Sequence, residues 1–245
     1  MKEMNYQENT QQANTEEGSM IGKIIQFGRY PQSNANEDFS EPILWVVVEE
    51  QQDRIRLLAT QGLDAVYYFQ PLKAGSYGCL PSGTWRDSHI RDWLNSDFAE
   101  KAFNRYEFER ILDTVTTIKD AGGCTFFGEK YTWEPTVTDK VSLLSIQDVC
   151  KYVKEAAGKW IRTCDATEYA VRRGVIADKD RGCRWWLTDN APGDLIFATV
   201  AKDAHILAYA ATNVVARPAV RPSIWIRKAG EQEMRSKETD YEKNE

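Results

Sequence analysis

The chain predicts a single α+β domain built from short, mostly antiparallel strands and about three helices. One observation is the order of its patterns, strands first, then helices, then more strands, rather than the alternation that marks a parallel sheet. Another is capacity: 245 residues, 42% of them hydrophobic and eight of them tryptophan, suffice for one sizeable core. No repeat or long linker divides the middle of the chain. Residues 1–19 and 227–245 are polar and poor in large apolar side chains, so a globular domain is expected over 20–226 between two disordered tails.

The elements follow in order. ILWVVV (43–48) is a continuous, β-branched run, which predicts a strand covered on both faces. RIRLLAT (54–60) places Ile55, Leu57 and Ala59 on one side of a second strand, and EEQQD between them reads as a hairpin connection. A helix is expected from Asp87 or Ser88, because Ile90, Trp93, Leu94 and Phe98 recur at helical spacing behind a residue that can cap free amides. A second begins at Ser145, which stands three residues before Asp148 and ahead of Ile146, Val149, Cys150 and Val153. A third is expected over 165–173, with Asp165 and Glu168 as its capping pair and Gly174 as its stop. Short strands are expected around 184–188, 195–200, 205–211 and 219–226, the last at an edge or bulge because Pro222 cannot donate to a ladder.

Composition narrows the function. The 37 acidic and 31 basic residues are well mixed and leave a net charge of −6, so no basic face is expected and nucleic acid is not an expected partner. No apolar stretch approaches the roughly 18 residues that a membrane span needs, and the first twenty residues lack the apolar core of a secretory signal. Five cysteines without CxxC spacing suit reduced thiols, and together these features predict a cytoplasmic protein without a membrane partner.

Several phrases together resemble an uncharacterised bacterial domain family, of the domain-of-unknown-function kind, found in Firmicutes and their phages. They are FGRYPQS (27–33), EPILWVVV (41–48), SHIRDWLN (88–95) with its R-x-W-L-N core, TDKVSLLSIQDV (138–149) with L-L-S, TEYA (167–170), W-W-L (185–187) and V-R-P opening VRPSIWI (220–226). Thr188-Asp189 departs from the arginine and serine that more often follow W-W-L in that family. More distantly, tryptophan-rich strands before an R-P-S strand look like C-type-lectin-like domains, including the formylglycine-generating-enzyme branch. That likeness implies a fold and no activity.

Catalytic and metal chemistry find little footing. The two histidines, His89 and His205, do not stand at ligand spacing, no GxSxG elbow or phosphate loop is present, and neither the HxxxExH segment nor the C-terminal cysteine pair of lectin-like enzymes occurs. No cofactor or metal is therefore expected. Asp178-Lys179-Asp180-Arg181-Gly182 is an incomplete calcium loop and reads as a solvated turn. Trp85, Arg91, Trp93, Trp185 and Arg221 form the structural motif, in which each arginine can stack on an aromatic ring or join a buried carboxylate.

If 183–188 is a strand, Cys183, Trp185 and Leu187 share one side while Arg184, Trp186 and Thr188 share the other. Trp185 then belongs to the core. Trp186 lies on a second face, covered by the long loop 119–137 or open to a ligand. Trp186, Asp189, Asn190, Arg184 and the loop's Trp133 are the candidate ligand-binding residues. The expected function is a non-catalytic binding or structural module that presents aromatic loops to a protein or glycan. The alternatives are a divergent enzyme of the formylglycine-generating-like branch, using carboxylates such as Asp189 or Asp178, and a component of a phage or contractile assembly.

Overall fold

The computed structural model describes residues 18–33, 40–69, 84–118, 123–126, 129–132, 135–152, 162–190, 196–210 and 217–228. Three strands open the chain: β1 (Ile24–Tyr30), β2 (Glu41–Glu50) and β3 (Arg54–Ala59), with the two-residue β4 (Gln61–Gly62) after them. A 3₁₀ turn at Trp85–Asp87 leads into α1 (His89–Trp93), a π turn at Leu94–Phe98, α2 (Ala99–Ala102) and α3 (Arg105–Arg110). Next come β5 (Ile111–Leu112), β6 (Thr114–Thr117), β7 (Gly123–Phe126), β8 (Glu129–Thr132), β9 (Thr136–Asp139), β10 (Val141–Ser142) and α4 (Ile146–Tyr152). The chain continues through β11 (Asp165–Ala166), α5 (Glu168–Arg173), β12 (Trp185–Asn190), β13 (Ile196–Val200), β14 (Ile206–Ala210) and β15 (Ser223–Arg227). The fold is α+β.

The main sheet is antiparallel and runs β1-β2-β3-β15-β10, with β5 also paired to β15. Its middle is covered on both faces, as the unbroken apolar run of β2 requires. Ile43, Trp45 and Val47 of β2 join Ile55, Leu57 and Ala59 of β3 in one core, while Val46, Val48 and Leu58 point into another. The period of two along each strand is what divides them. Against the first face pack Ile90, Leu94, Phe98 and Ala102 from the helical run that starts at His89. The second core takes Val149 and Tyr152 of α4, Ala170 of α5, and Trp185, Leu187, Ala198 and Val200 of the β12-β13-β14 sheet.

Local chemistry sets the helix ends. Ser88 caps α1 by accepting from the amide of Arg91, and Ser145 and Asp148 form the reciprocal capping pair at the start of α4. Inside the π turn, the Asn95 side chain bonds the carbonyls of Arg91 and Val141 and the amides of Lys140 and Val141, fastening the helix to the start of β10.

Four expectations are corrected. The helix expected over 165–173 is capped by Thr167, whose Oγ1 accepts from Ala170; Asp165 lies in β11 and pairs with Gln61 of β4. Helix α3 adds to the expected set, with a capping box between Asn104 and Glu107. The segment 119–137 is not a long irregular loop, because β7 pairs with β8 and β9 pairs back to β6. Pro222 ends before β15 begins, and that strand is internal to the sheet, between β3 on one edge and β10 and β5 on the other. Pro222 takes part by its carbonyl, which accepts from the amide of Ala59. The expected tails, apart from residues 18, 19, 227 and 228, lie outside the described residues, and no helix among those residues is long and apolar enough to cross a membrane.

Candidate functional site

Strand β5 pairs with β15 through Leu112 and Trp225, and one residue later the chain leaves the main sheet to pair with β9 instead. That divergence opens a cleft of about 560 Å³ between β6 and the sheet it has left. One wall is the unbroken run from Asp113 to Ile118. The opposite wall is made by Arg54 and Arg56 of β3 with Trp225 of β15, and the end is closed by Ser145, Gln147 and Asp148 at the start of α4 and by Thr188 and Asp189 of β12.

The polar groups of the far wall are committed to one another. Arg56, only 7% exposed, grips Asp148 with both arms of its guanidinium at 2.8 and 3.2 Å and also donates to Tyr152 Oη and Ser223 Oγ. Burial opposes its charge, but Asp148 and the Tyr152 oxygen outweigh burial and raise its pKa above the ordinary arginine value. Burial likewise pushes the Tyr152 phenol up, and its hydroxyl donates to Glu49. The guanidinium carbons of Arg54 and Arg56 stand 4.9 and 5.9 Å from the ring centre of Trp225. Asp189 accepts from the amide of Ile146 at 2.7 Å, filling one of the open donors of α4.

The β6 wall is different. Ile118 donates its amide to Pro135, so the amides of Thr114, Thr116 and Ile118 point toward β9 while the backbone groups of Val115 and Thr117 point away from it. Among the described residues no strand pairs with that outer edge. The buried Oγ1 of Thr114 makes no hydrogen bond among the described residues either.

The residues expected to bind ligand are dispersed. Trp186 is 1% exposed, packed edge-on against Tyr68 at 5.0 Å in the first core, so it presents no surface for a ligand. Alternation along the strand does divide the pair as expected, since Trp185 with Cys183 and Leu187 lies in the second core. Asp189 is in the cleft, whereas Arg184 donates to Thr199 and lines a separate cavity of about 370 Å³ with Ile176, Lys202 and Arg217. Trp133 and the side chain of Asn190 lie outside the described residues.

The motif arginines find the partners their setting suggests. Arg91 donates to Asp139 at 2.7 Å, and the Trp85 indole donates to the other carboxylate oxygen at 3.1 Å. Burial raises the Asp139 pKa in spite of Arg91. Trp93 packs half-buried against the first core, its ring 5.4 Å from that of Phe98. Arg221 lies over the Trp185 ring at 4.9 Å and donates to the carbonyls of Ala59 and Thr163.

Sequence reasoning passed over Arg54, Arg56 and Trp225, although two arginines alternating with apolar residues in RIRLLAT already place both guanidinium groups on one strand face. Asp139 carried no such signal. Asp178 accepts from the amides of Asp180 and Gly182 and pairs with Lys202, which holds the 178–182 turn closed. Among the described residues no three His, Cys, Asp or Glu side chains converge as a metal site.

No curated protein and no solved structure matches the chain. A family model does, over residues 78–228, a span that contains the β6 wall, the α4 end and Trp225 of the cleft but not Arg54 and Arg56. With more than half of its length matched, the chain belongs to the family DUF6273, a domain of unknown function.

Proposed function

We propose that this chain is a non-catalytic binding module whose cleft takes an extended segment of a protein partner, added as a strand along β6. One observation carries the reading. Every consecutive residue from Asp113 to Ile118 lines the cleft, and because side chains alternate between faces, only a groove that follows the strand's edge touches them all. The outward backbone groups of Val115 and Thr117 offer a partner two donors and two acceptors, the arrangement used in strand addition.

A glycan is disfavoured at this site, since the Trp225 face that a sugar would stack on is occupied by Arg54 and Arg56. Acid or base catalysis is disfavoured too: Asp148 is held by Arg56 and by Ser145, and Asp189 by the α4 amide. The lectin-like comparison, a cytoplasmic setting and a place in a bacterial or phage assembly belong to this proposal as its context.

The test is to pan a phage-displayed random peptide library and a glycan array with the full chain and with Val115→Pro. Proline at 115 removes an outward N–H without breaking a bond to β9. Peptides should be enriched, and Val115→Pro should weaken them about tenfold, the loss of roughly one main-chain hydrogen bond and some fit. Glycan ligands in place of peptides, or peptides indifferent to Val115→Pro, would overturn the reading.

A further inference from the structure

We propose that Cys164 and Cys183 form an oxidisable dithiol, a site that takes a small hydroperoxide and closes to a disulfide. The two are brought together by backbone pairing. Asp165 and Gly182 form an antiparallel bridge, the Cys183 amide donates to the Cys164 carbonyl at 2.8 Å, and Ala166 donates to Arg181 at 2.9 Å. Cys164 and Cys183 therefore stand opposite each other at a hydrogen-bonded position, where Cα atoms are about 5.5 Å apart, within the roughly 4.4–6.8 Å that a disulfide spans. Both side chains enter the second core.

The sulfurs meet over Gly62. A Cβ placed there would lie 3.6 Å from each Sγ and only 2.4 Å from Ala219 Cβ, so only glycine allows the β4 backbone to sit under the pair. The Cys164 thiol donates to the carbonyl of Asp165 at 3.7 Å. Beside them is Arg221, 1% exposed, which donates to the carbonyls of Ala59 and Thr163.

This setting separates the two roles a dithiol needs. Burial pushes the Cys164 thiol up, but the neighbouring Cys183 thiol and the Arg221 charge outweigh it and bring Cys164 below the ordinary thiol range. The neighbouring Cys164 sulfur, together with burial, pushes Cys183 up. Cys164 is thus the nucleophile and Cys183 the resolving thiol. Cys183 and Gly182 also line the cavity of about 370 Å³, so a small neutral oxidant enters beside Cys183 and meets Cys164, 3% exposed, across the backbone bridge.

The chemistry balances with hydrogen peroxide as the oxidant. The Cys164 thiolate attacks one peroxide oxygen, the O–O bond breaks, and the departing hydroxide takes a proton to become water, leaving a sulfenic acid on Cys164. The Cys183 sulfur then attacks the Cys164 sulfur and gives up its proton, and a second water leaves as the S–S bond forms. Two thiols lose two electrons, and one peroxide becomes two waters. A dithiol reductant reverses the change.

The experiment treats the reduced full chain with equimolar hydrogen peroxide and reads intact mass, thiol labelling and a non-reducing peptide map. The expected product is lighter by two hydrogen atoms, carries a Cys164–Cys183 cross-linked peptide, and forms at least ten times faster than oxidation of the half-buried Cys150. Cys183→Ser should stop at a sulfenic acid on Cys164 that dimedone traps, and Cys150→Ser should change nothing. A cross-link involving another cysteine, or Cys164 and Cys183 still labelled as thiols once Cys150 is oxidised, would overturn the proposal. The wild-type peptide map decides the matter even if a variant fails to fold.

Discussion

Arg56 shows at the residue scale how this molecule handles a buried charge. Its guanidinium spans the two-armed contact to Asp148, the Tyr152 hydroxyl, Ser223 and the Trp225 ring, joining β3, α4 and β15 at one point. Removing one partner of such a pair leaves the other uncompensated, and the cost is commonly about 3–5 kcal/mol. Asp148 retains 23% side-chain exposure and its bonds to Ser145, so Arg56→Met should sit at the lower end, near 3 kcal/mol of lost stability in urea unfolding. Asp148→Asn alone should also destabilise, since it strands a guanidinium whose side chain is 9% exposed. Combined with Arg56→Met it should cost less than alone, because the charge it would strand is already gone. Strict additivity of the two substitutions would show that the pair is not coupled and that Arg56 acts through packing alone.

Among the elements, α5 separates what local sequence dictates from what tertiary pairing dictates. Its end was legible: Gly174 stands at φ +115, follows two arginines, and its amide donates to Val171. Its start was not, because the Asp165–Glu168 spacing imitates a capping box while Asp165 is claimed by the pairing of β11 with β4. The same limit applies around the cleft. The arginine alternation in β3 and the capping pair of Ser145 and Asp148 could be read from neighbours in sequence. The departure of β6 from β15 could not, because it depends on β9, some twenty residues further along the chain, offering a better partner. Trp186 illustrates the converse: alternation gave its face correctly, but only the distant Tyr68, itself stacked on Phe197, shows that this face is sealed. For α5 the consequence is measurable. Gly174→Ala must hold a left-handed conformation that costs an L-residue about 1–2 kcal/mol, with Arg217 Nη2 only 3.0 Å from the new methyl. Thr167→Ala removes the cap to Ala170, for about 1 kcal/mol. A Gly174→Ala variant as stable as the wild type in urea unfolding would show that α5 does not need a left-handed stop at this position.

At the scale of the whole molecule, the family match and the physical fold do not have the same limits. The matched span, 78–228, leaves out β1, β2 and β3, yet β15 at its far end pairs with β3 along five consecutive positions from Ser223↔Leu58 to Arg227↔Arg54. Both cores lose a wall without that segment: Trp45, Val47 and Leu57 on one side, Val46, Val48 and Leu58 on the other, all at most 1% exposed in the intact fold. Phe98 and Trp185 would then face water across the gap, and Asp148 would lose Arg56. A fragment of residues 78–228 should therefore show no cooperative thermal transition and a narrow spread of amide proton shifts, while the full chain shows both a sharp transition and wide dispersion. A cooperative, well-dispersed fragment would mean that β1–β3 are an appendage to a self-sufficient core. The double-sided burial of β2 argues against that, because a strand with both faces covered is central to the packing of everything placed against it.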